Sequence, residues 1–300
     1  MLKIAFHPIY THPLPDGHRF PMEKYDLLPA QLIHEGTCDA SNFFEPGLPD
    51  MQHVLRTHDA AYVSQLQSLS VDKKMARRIG FPLSKQLIER ELILAQGTLM
   101  ACQFALKQGV AMNIAGGTHH AFSNKGEAFC LLNDQAIGAR YVQNELGLKR
   151  VLIVDLDVHQ GNGTAEIFSN DPSVFTFSMH GESNYPFVKE KSDMDIPLAN
   201  DCTDEVYLNT LKTILPELIN THQPDFIFYL SGVDVLSTDK LGKLGMTVDG
   251  CKRRDEFVLQ TCFDAQIPMM ISMGGGYSPQ IKTIVDAHAN TYRLAQKIFF

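Results

Sequence analysis

The sequence lacks the features that would tie it to nucleic acid, to a membrane or to an oxidising compartment. Acidic residues outnumber basic ones by 34 to 26, and the resulting net charge of −8 argues against a broad basic surface for a polyanion. No apolar run approaches the roughly 18 residues that a membrane span requires. The cysteines, Cys38, Cys102, Cys130, Cys202, Cys251 and Cys262, form no Cys-x-x-Cys pair and follow no regular spacing. Reduced thiols in a cytoplasmic protein are therefore expected. The opening Met-Leu-Lys-Ile-Ala-Phe-His-Pro is too briefly apolar for a signal peptide. No Ser/Gly linker, low-complexity segment or internal repeat divides the chain, which predicts one domain over residues 1–300. A phosphate-cradling loop is not expected either. The glycine run is not followed by Lys-Ser/Thr, and no Gly-x-Gly-x-x-Gly occurs.

What is present is an alternation of apolar strands and amphipathic helices. Strands are expected at Leu2–Phe6, Ala111–Ala115, Val151–Val154, Val174–Met179, Phe226–Leu230 and Pro268–Met273. Helices are expected at Pro21–His34, His58–Leu69, Ser84–Lys107, Leu132–Leu146, Thr203–Asn220, Asp249–Ala265 and Pro279–Gln296. In the third of these, Leu87, Glu91, Leu94, Thr98, Cys102 and Ala105 follow the three–four spacing. Ser84 suits an N-cap and Gly109 a stop. The Pro- and His-rich segment after Phe6 and the segment Phe43–Pro49 read as loops. Strands alternating with helices imply βαβ crossovers, hence an α/β fold in which a mainly parallel central sheet is flanked by helices in three layers.

The chemistry concentrates in Arg150–Gly163. Its apolar strand runs into Asp155, Asp157 and His159, spaced two apart, so that on an extended backbone all three face one way. Gly161 and Gly163 then break the pattern. A polar cluster at the carboxyl end of a buried strand lies where open α/β sheets bind ligands. Solvated carboxylates capping nearby backbone are the plainer reading, and His159 tips the balance toward metal ligation or catalysis.

Other strong strands end in the same manner. The strand 111–115 precedes His119-His120, Phe226–Leu230 precedes Asp234, and Pro268–Met273 precedes Gly274-Gly275-Gly276-Tyr277. In a parallel sheet these ends share one edge, so residues scattered in sequence can converge. Asp157, His159 and Asp234 would supply two carboxylates and one imidazole, leaving a coordination position open as catalytic rather than structural sites do. His119 and His120 suit a general acid–base pair on a turn made by Gly116 and Gly117. Asp155 suits the orientation of one of them. Tyr277 could donate a hydrogen bond to a developing oxyanion, or simply pack.

Together these segments resemble the histone deacetylase family of the arginase–deacetylase fold. The likeness rests on Gly117-Thr118-His119-His120-Ala121, on Ala128 through Asp134, on Asp155 through Gly163, on Tyr229 through Asp234, and on Gly274 through Tyr277. His-Gln-Gly-Asn-Gly at 159–163 and the Asn-Tyr-Pro-Phe segment look most like class IV and its bacterial relatives.

The resemblance implies zinc, with iron(II) as the alternative, held by Asp157, His159 and Asp234. It implies His119 and His120 at the catalytic water with Asp155 behind His119, and Tyr277 at the acyl carbonyl. It implies a lysine channel lined by Phe129, Gly117, Tyr185, Phe187, Leu241 and Gly275, and a structural potassium ion near Asp155, Asp157, His159, Ser178 and Met179. Arg19 would border a product-release cavity. Asn162 departs from the Asp that many members place behind the second histidine, which favours His120 staying neutral as the base.

The implied activity is hydrolysis of an N-acyl amide, with an acylated lysine side chain or a small acylated amine as substrate. An acetylpolyamine deacetylase, a long-chain lysine deacylase, an arginase-like ureohydrolase and a non-catalytic acyl-amide binding protein are the competing readings. No direct nucleic-acid partner is expected.

Overall fold

A computed structural model describes residues 1–300. Its strands are β1 (Lys3–Ala5), β2 (Phe43–Phe44), β3 (Val110–Asn113), β4 (Val151–Asp155), β5 (Val174–Gly181), β6 (Met194–Leu198), β7 (Phe226–Gly232) and β8 (Met269–Gly274). They form one eight-stranded sheet in the order β2-β1-β3-β8-β7-β4-β5-β6, parallel at every pairing. Parallel strands need crossovers, and the crossover helices cover both faces, so the inner strands must be apolar on both sides. Accordingly every residue of β3, β4, β7 and β8 is buried.

The helices are α1 (Lys24–His34), α2 (Met51–Leu55), α3 (Ala60–Gln67), α4 (Lys73–Ile79), α5 (Lys85–Gln108), α6 (Asp134–Asn144), α7 (Asn162–Phe168), α8 (Asp204–His222), α9 (Val248–Asp264) and α10 (Ile281–Phe299). The expected caps are in place. Ser84 Oγ accepts from Leu87 N at 3.1 Å to start α5, and Gly109, at φ 91°, ends it. Helices and sheet enclose a continuous apolar core of 78 buried residues.

Several elements depart from the sequence expectation. Helix α4 buries only Ile79 of its seven residues, so it offers no apolar period to read; Asp72 caps it through Lys74 N and Met75 N. Strand β6 is an edge strand carrying Pro197, a residue that argues against a strand when met in sequence. Strand β2, two residues long, lies where loop was expected. Helix α7 runs through Gly163 instead of breaking there. A Cβ at that position would lie 2.2 Å from Ala121 O, so glycine is needed for close approach rather than for a turn.

The order of the sheet is what assembles the polar strand ends. Strands β3, β8, β7 and β4 are consecutive neighbours, so the four chemically loaded carboxyl ends stand side by side.

Candidate active site

Strand β4 ends at Asp155, and beyond it the chain is no longer extended. The expectation that strand alternation aims Asp155, Asp157 and His159 together is therefore corrected. Short side-chain-to-backbone turns do it instead: Asp155 Oδ1 accepts from Asp157 N at 3.1 Å, and Asp157 Oδ1 accepts from His159 N at 2.9 Å. From β7, Asp234 Oδ1 accepts from Val158 N at 3.0 Å and ties the two strand ends together. Arg254 of α9, fully buried, donates to Leu156 O and Gly232 O at 3.1 and 2.6 Å and braces the same two ends from below.

Donor atoms of Asp157, His159 and Asp234 then lie within 4.8 Å of one another, all buried. His159 Nδ1 is 2.9 Å from Asp157 Oδ1 and 3.3 Å from Asp234 Oδ2. Asp234 Oδ2 has no hydrogen-bond partner, although its residue is fully buried. Burial together with the charge of Asp157 pushes the Asp234 carboxyl up to about 7. Two carboxylates crowded in a dry pocket cannot both ionise unless a cation joins them. An oxygen-plus-imidazole set with an unpartnered carboxylate oxygen fits a dication with an open position.

The histidine pair is delivered by the loop after β3. Gly117 sits at φ 65°, and a Cβ there would lie 2.2 Å from Met273 O, so only glycine lets this loop press against β8. Asp134 at the start of α6 gathers the loop, accepting from Thr118 N at 3.0 Å and from the hydroxyls of Thr98, Thr118 and Ser272 at 2.8 to 2.9 Å. His58 clamps its far side, with Nδ1 donating to Phe122 O and Nε2 accepting from Asn133 N, both at 2.9 Å.

The two rings stand 4.1 Å apart between centroids, yet their surroundings differ. His119 Nδ1 donates to Asp155 Oδ2 at 2.6 Å. Burial disfavours its charged form, but the carboxylates of Asp155 and Asp157 outweigh burial and raise its pKa. His120 Nδ1 lies 2.6 Å from Asn162 Oδ1. Burial, then the neighbouring imidazoles, hold its pKa well below the usual histidine value.

Tyr277 reaches the site from the loop after β8, anchored by its N–H donating to Asp239 Oδ2 at 2.6 Å. Asp239 Oδ1 also accepts from Leu241 N and Gly242 N, so one carboxylate fixes both Tyr277 and the Leu241 loop. Burial, then the charges of Asp234 and Asp157, keep the Tyr277 phenol protonated by raising its pKa well above 10. Lys24 Nζ donates to Gly275 O at 2.6 Å from among the rings of Phe20, Tyr25 and Tyr277. Burial lowers that ammonium to about 8.

Asp157, His159, Asp234, His119, His120, Tyr277 and Lys24 border a cavity of about 810 Å³, whose lining also includes Phe129, Gly117, Tyr185, Phe187, Leu241 and Gly275. Phe129 occupies a tight turn in which it and Ala128 adopt φ of 67° and 48°, and their N–H groups bond Ile79 O and Arg78 O at 2.7 and 2.8 Å. Of the two aromatics expected opposite Phe129, Tyr185 is the inner one, 5.1 Å from the His120 ring, whereas Phe187 is 86% exposed. Arg19 lies on the cavity lining. It is exposed with its guanidinium 4.9 Å over the Phe129 ring, and the buried cations deeper in are Lys24 and Arg90. In the group associated with potassium, Ser178 pairs in register with Asp155, but its hydroxyl is 3.0 Å from His180 Nδ1. Both Asp155 side-chain oxygens are taken, by Asp157 N and His119.

Sequence reasoning missed Lys24, Glu127, Asp239 and Arg254. A lysine in an amphipathic helix reads as surface, and the Asp of Thr238-Asp239-Lys240-Leu241-Gly242 reads as a turn. Glu127 adjoins the segment Ala128 through Asp134 and lies one residue outside it, so only that proximity could have flagged it.

A parallel α/β sheet with this constellation on its carboxyl edge defines a metal-dependent hydrolase as the class. The comparison with known proteins is more specific. Residues 18–292 match the histone deacetylase domain, and the chain belongs to the histone deacetylase family, whose members hydrolyse amides with the help of a metal. It is 43% identical over 296 residues to an uncharacterized protein of Picosynechococcus, covering 99% of each chain. It is 27% identical to histone deacetylase 2 of Arabidopsis thaliana, covering 92% of this chain and 74% of that one. The crystal structure of a deacetylase homologue from Aquifex aeolicus superimposes with a TM-score of 0.85 at 22% identity, over 98% of this chain and 84% of the other.

Proposed function

We propose that residues 1–300 form a single catalytic domain that removes an acyl group from lysine side chains of peptides or proteins, acting in the cytoplasm. The carrying observation is the convergence of Asp157, His159, Asp234 and the two histidines at one cavity. Asp157, His159 and Asp234 would hold zinc, or iron(II), which suits the same donors. When bound, such an ion supplies Lewis-acid polarisation and lowers the pKa of water toward neutrality. His120, kept neutral, takes the proton from the attacking water. His119, whose charged form the Asp155 carboxylate favours, gives a proton to the leaving amine. The Tyr277 phenol donates to the acyl oxygen as negative charge develops there. Phe129 and Tyr185 flank the aliphatic stem, with Gly117, Leu241 and Gly275 completing the walls and Phe187 at the mouth. A potassium ion near Asp155, Asp157, His159, Ser178 and Met179 would rely mainly on backbone carbonyls, because the Asp155 side-chain oxygens are already engaged.

Two observations bear on substrate. The mouth is basic although the chain is acidic. Exposed or half-exposed Arg19, Arg78, Lys125 and Lys243 line it, with Glu190 as the one exposed carboxylate. Helix α4 adds exposed Lys73, Lys74 and Arg77 beside Arg78. A polyamine would meet like charge there, whereas an acyl-lysine in acidic sequence would be attracted. This disfavours the acetylpolyamine reading. Second, the cavity lining also takes in Phe20 and the buried Tyr25, Arg90 and Leu94, which supports acyl groups longer than acetyl. Asn162 supports assignment to class IV.

The test is turnover by zinc-loaded protein on acetyl-lysine and myristoyl-lysine peptides with acidic or basic flanks, and on acetylspermidine. Acidic-flanked peptides should be best, and their advantage should shrink with added salt. Full zinc occupancy with no turnover on any substrate would leave the non-catalytic binding protein as the reading.

A further inference from the structure

Asn162 stands where a carboxylate would otherwise stabilise the second histidine, and a free amide would be indifferent to which of its ends faced the imidazole. In this protein it is not free. Its Nδ2 donates to Glu127 Oε1 at 2.7 Å, and its Oδ1 lies 2.6 Å from His120 Nδ1. An ionised carboxylate only accepts hydrogen bonds. It therefore compels Asn162 to turn its amino group toward Glu127 and its carbonyl toward His120. The carbonyl in turn requires the proton on His120 Nδ1, which leaves the Nε2 lone pair free for proton abstraction.

The same Glu127 oxygen accepts from the Tyr185 hydroxyl at 2.7 Å, and the Tyr185 ring meets the His120 ring edge-on at 5.1 Å. Glu127 is only 7% exposed. Its backbone exchanges both hydrogen bonds with Cys130 at 3.0 Å across the turn that also carries Phe129. The turn is in its left-handed conformation and is pinned to the end of α4, so the carboxylate has a fixed origin.

We propose that Glu127 is a positioning residue for the hydrolysis. Through Asn162 it sets the tautomer of His120, and through Tyr185 it locks the channel wall to the same histidine. The carboxylate missing directly behind His120 is thus supplied one residue further back, with an amide relaying its polarity. This inference rests on the acyl-lysine hydrolase reading for its kinetic test and on nothing beyond the fold for its spectroscopic one.

The experiment uses the zinc-loaded full chain and four variants: Glu127→Ala, Glu127→Gln, Asn162→Asp, and Asn162→Asp combined with Glu127→Gln. Glu127→Ala should lower kcat about 10- to 100-fold, with KM within a few-fold of the parent and zinc stoichiometry unchanged. Glu127→Gln keeps an oxygen able to accept both bonds and should retain most of the lost kcat. Asn162→Asp sets carboxylate against carboxylate with no proton between them, and should fall as far as Glu127→Ala. Adding Glu127→Gln supplies an amide donor to the new carboxylate, and should restore kcat at least about tenfold over the single variant. In parallel, nitrogen-15 shifts of the His120 ring should report the Nδ1–H tautomer in the parent and a mixture in Glu127→Ala. A double variant no better than Asn162→Asp, or an unchanged His120 tautomer in Glu127→Ala, overturns the proposal. If the parent turns over no acyl-lysine, the functional reading fails, and the tautomer measurement still decides the role of Glu127.

Discussion

His119 and His120 are neighbours in the chain and in space, yet the protein treats them differently. One donates directly to a buried carboxylate from β4, and its pKa rises. The other faces a neutral amide, and its pKa falls well below the usual value. Residue type and burial are the same for both, at 5% exposure each. The difference lies in what stands behind each ring: a charge at one remove for His119, and a charge at two removes, through Asn162 and Glu127, for His120. Under the proposed mechanism these partners, together with the neighbouring imidazoles that lower His120, would set two identical side chains to opposite proton-transfer roles at one pH.

The largest perturbation removes the frame that both histidines serve. Asp234→Ala should abolish stoichiometric zinc binding and cut turnover by about three decades or more, since metal polarisation contributes several kcal/mol to such reactions. Zinc content by mass spectrometry and kcat on an acyl-lysine peptide check this, and retained stoichiometric zinc would refute the ligand set. Next, Tyr277→Phe should keep zinc and KM while lowering kcat about 100- to 1000-fold. Unchanged turnover would remove Tyr277 from the chemistry.

The comparison itself is broken or sharpened by a pair of variants. Asp155→Asn leaves an amide behind His119 and should lower kcat about 100-fold or more, because both charge and tautomer control are lost. Asn162→Ala should cost less than that and about as much as Glu127→Ala, because no charge contacts His120 directly. Equal losses would mean that the two histidines are not divided as the geometry implies.

The smallest effect concerns the clamp under the pair. Burial holds His58 at about 4, whereas in an unfolded chain it titrates near 6.5. Between those values the unfolded state binds more protons, so stability falls as pH drops from about 6.5 toward 4. Melting temperatures across that window should show this loss. His58→Gln should be less stable at pH 7 but flatter in its pH dependence; an unaltered slope would clear His58 of the effect.

Much of the fold was legible because the apolar strands of a parallel sheet leave a strong local trace, and because helices such as α5 announce their ends with Ser84 and Gly109. The short elements were not legible, since α4, β2 and β6 carry too little apolar periodicity to stand out. At the site, Asp157, His159, Asp234, His119, His120 and Tyr277 could be named from their places after strands. Lys24 could not be named, because its charge reads as surface until the core closes over it. Arg19, expected to border a product-release cavity, lies exposed on the cavity lining over the Phe129 ring.

Sequence alone determined that strands would alternate with helices and that several would end in ligating or titratable side chains, because hydrophobic period and residue chemistry are local properties. Tertiary structure decided the rest. Only the strand order brings β3, β8, β7 and β4 side by side, and only through-space hydrogen bonds seat Asp155 behind His119 and the Asn162–Glu127 pair behind His120. Those bonds join residues tens of positions apart, such as His119 with Asp155 and Asn162 with Glu127, and no local pattern records a contact whose partners are placed by the packing of the sheet.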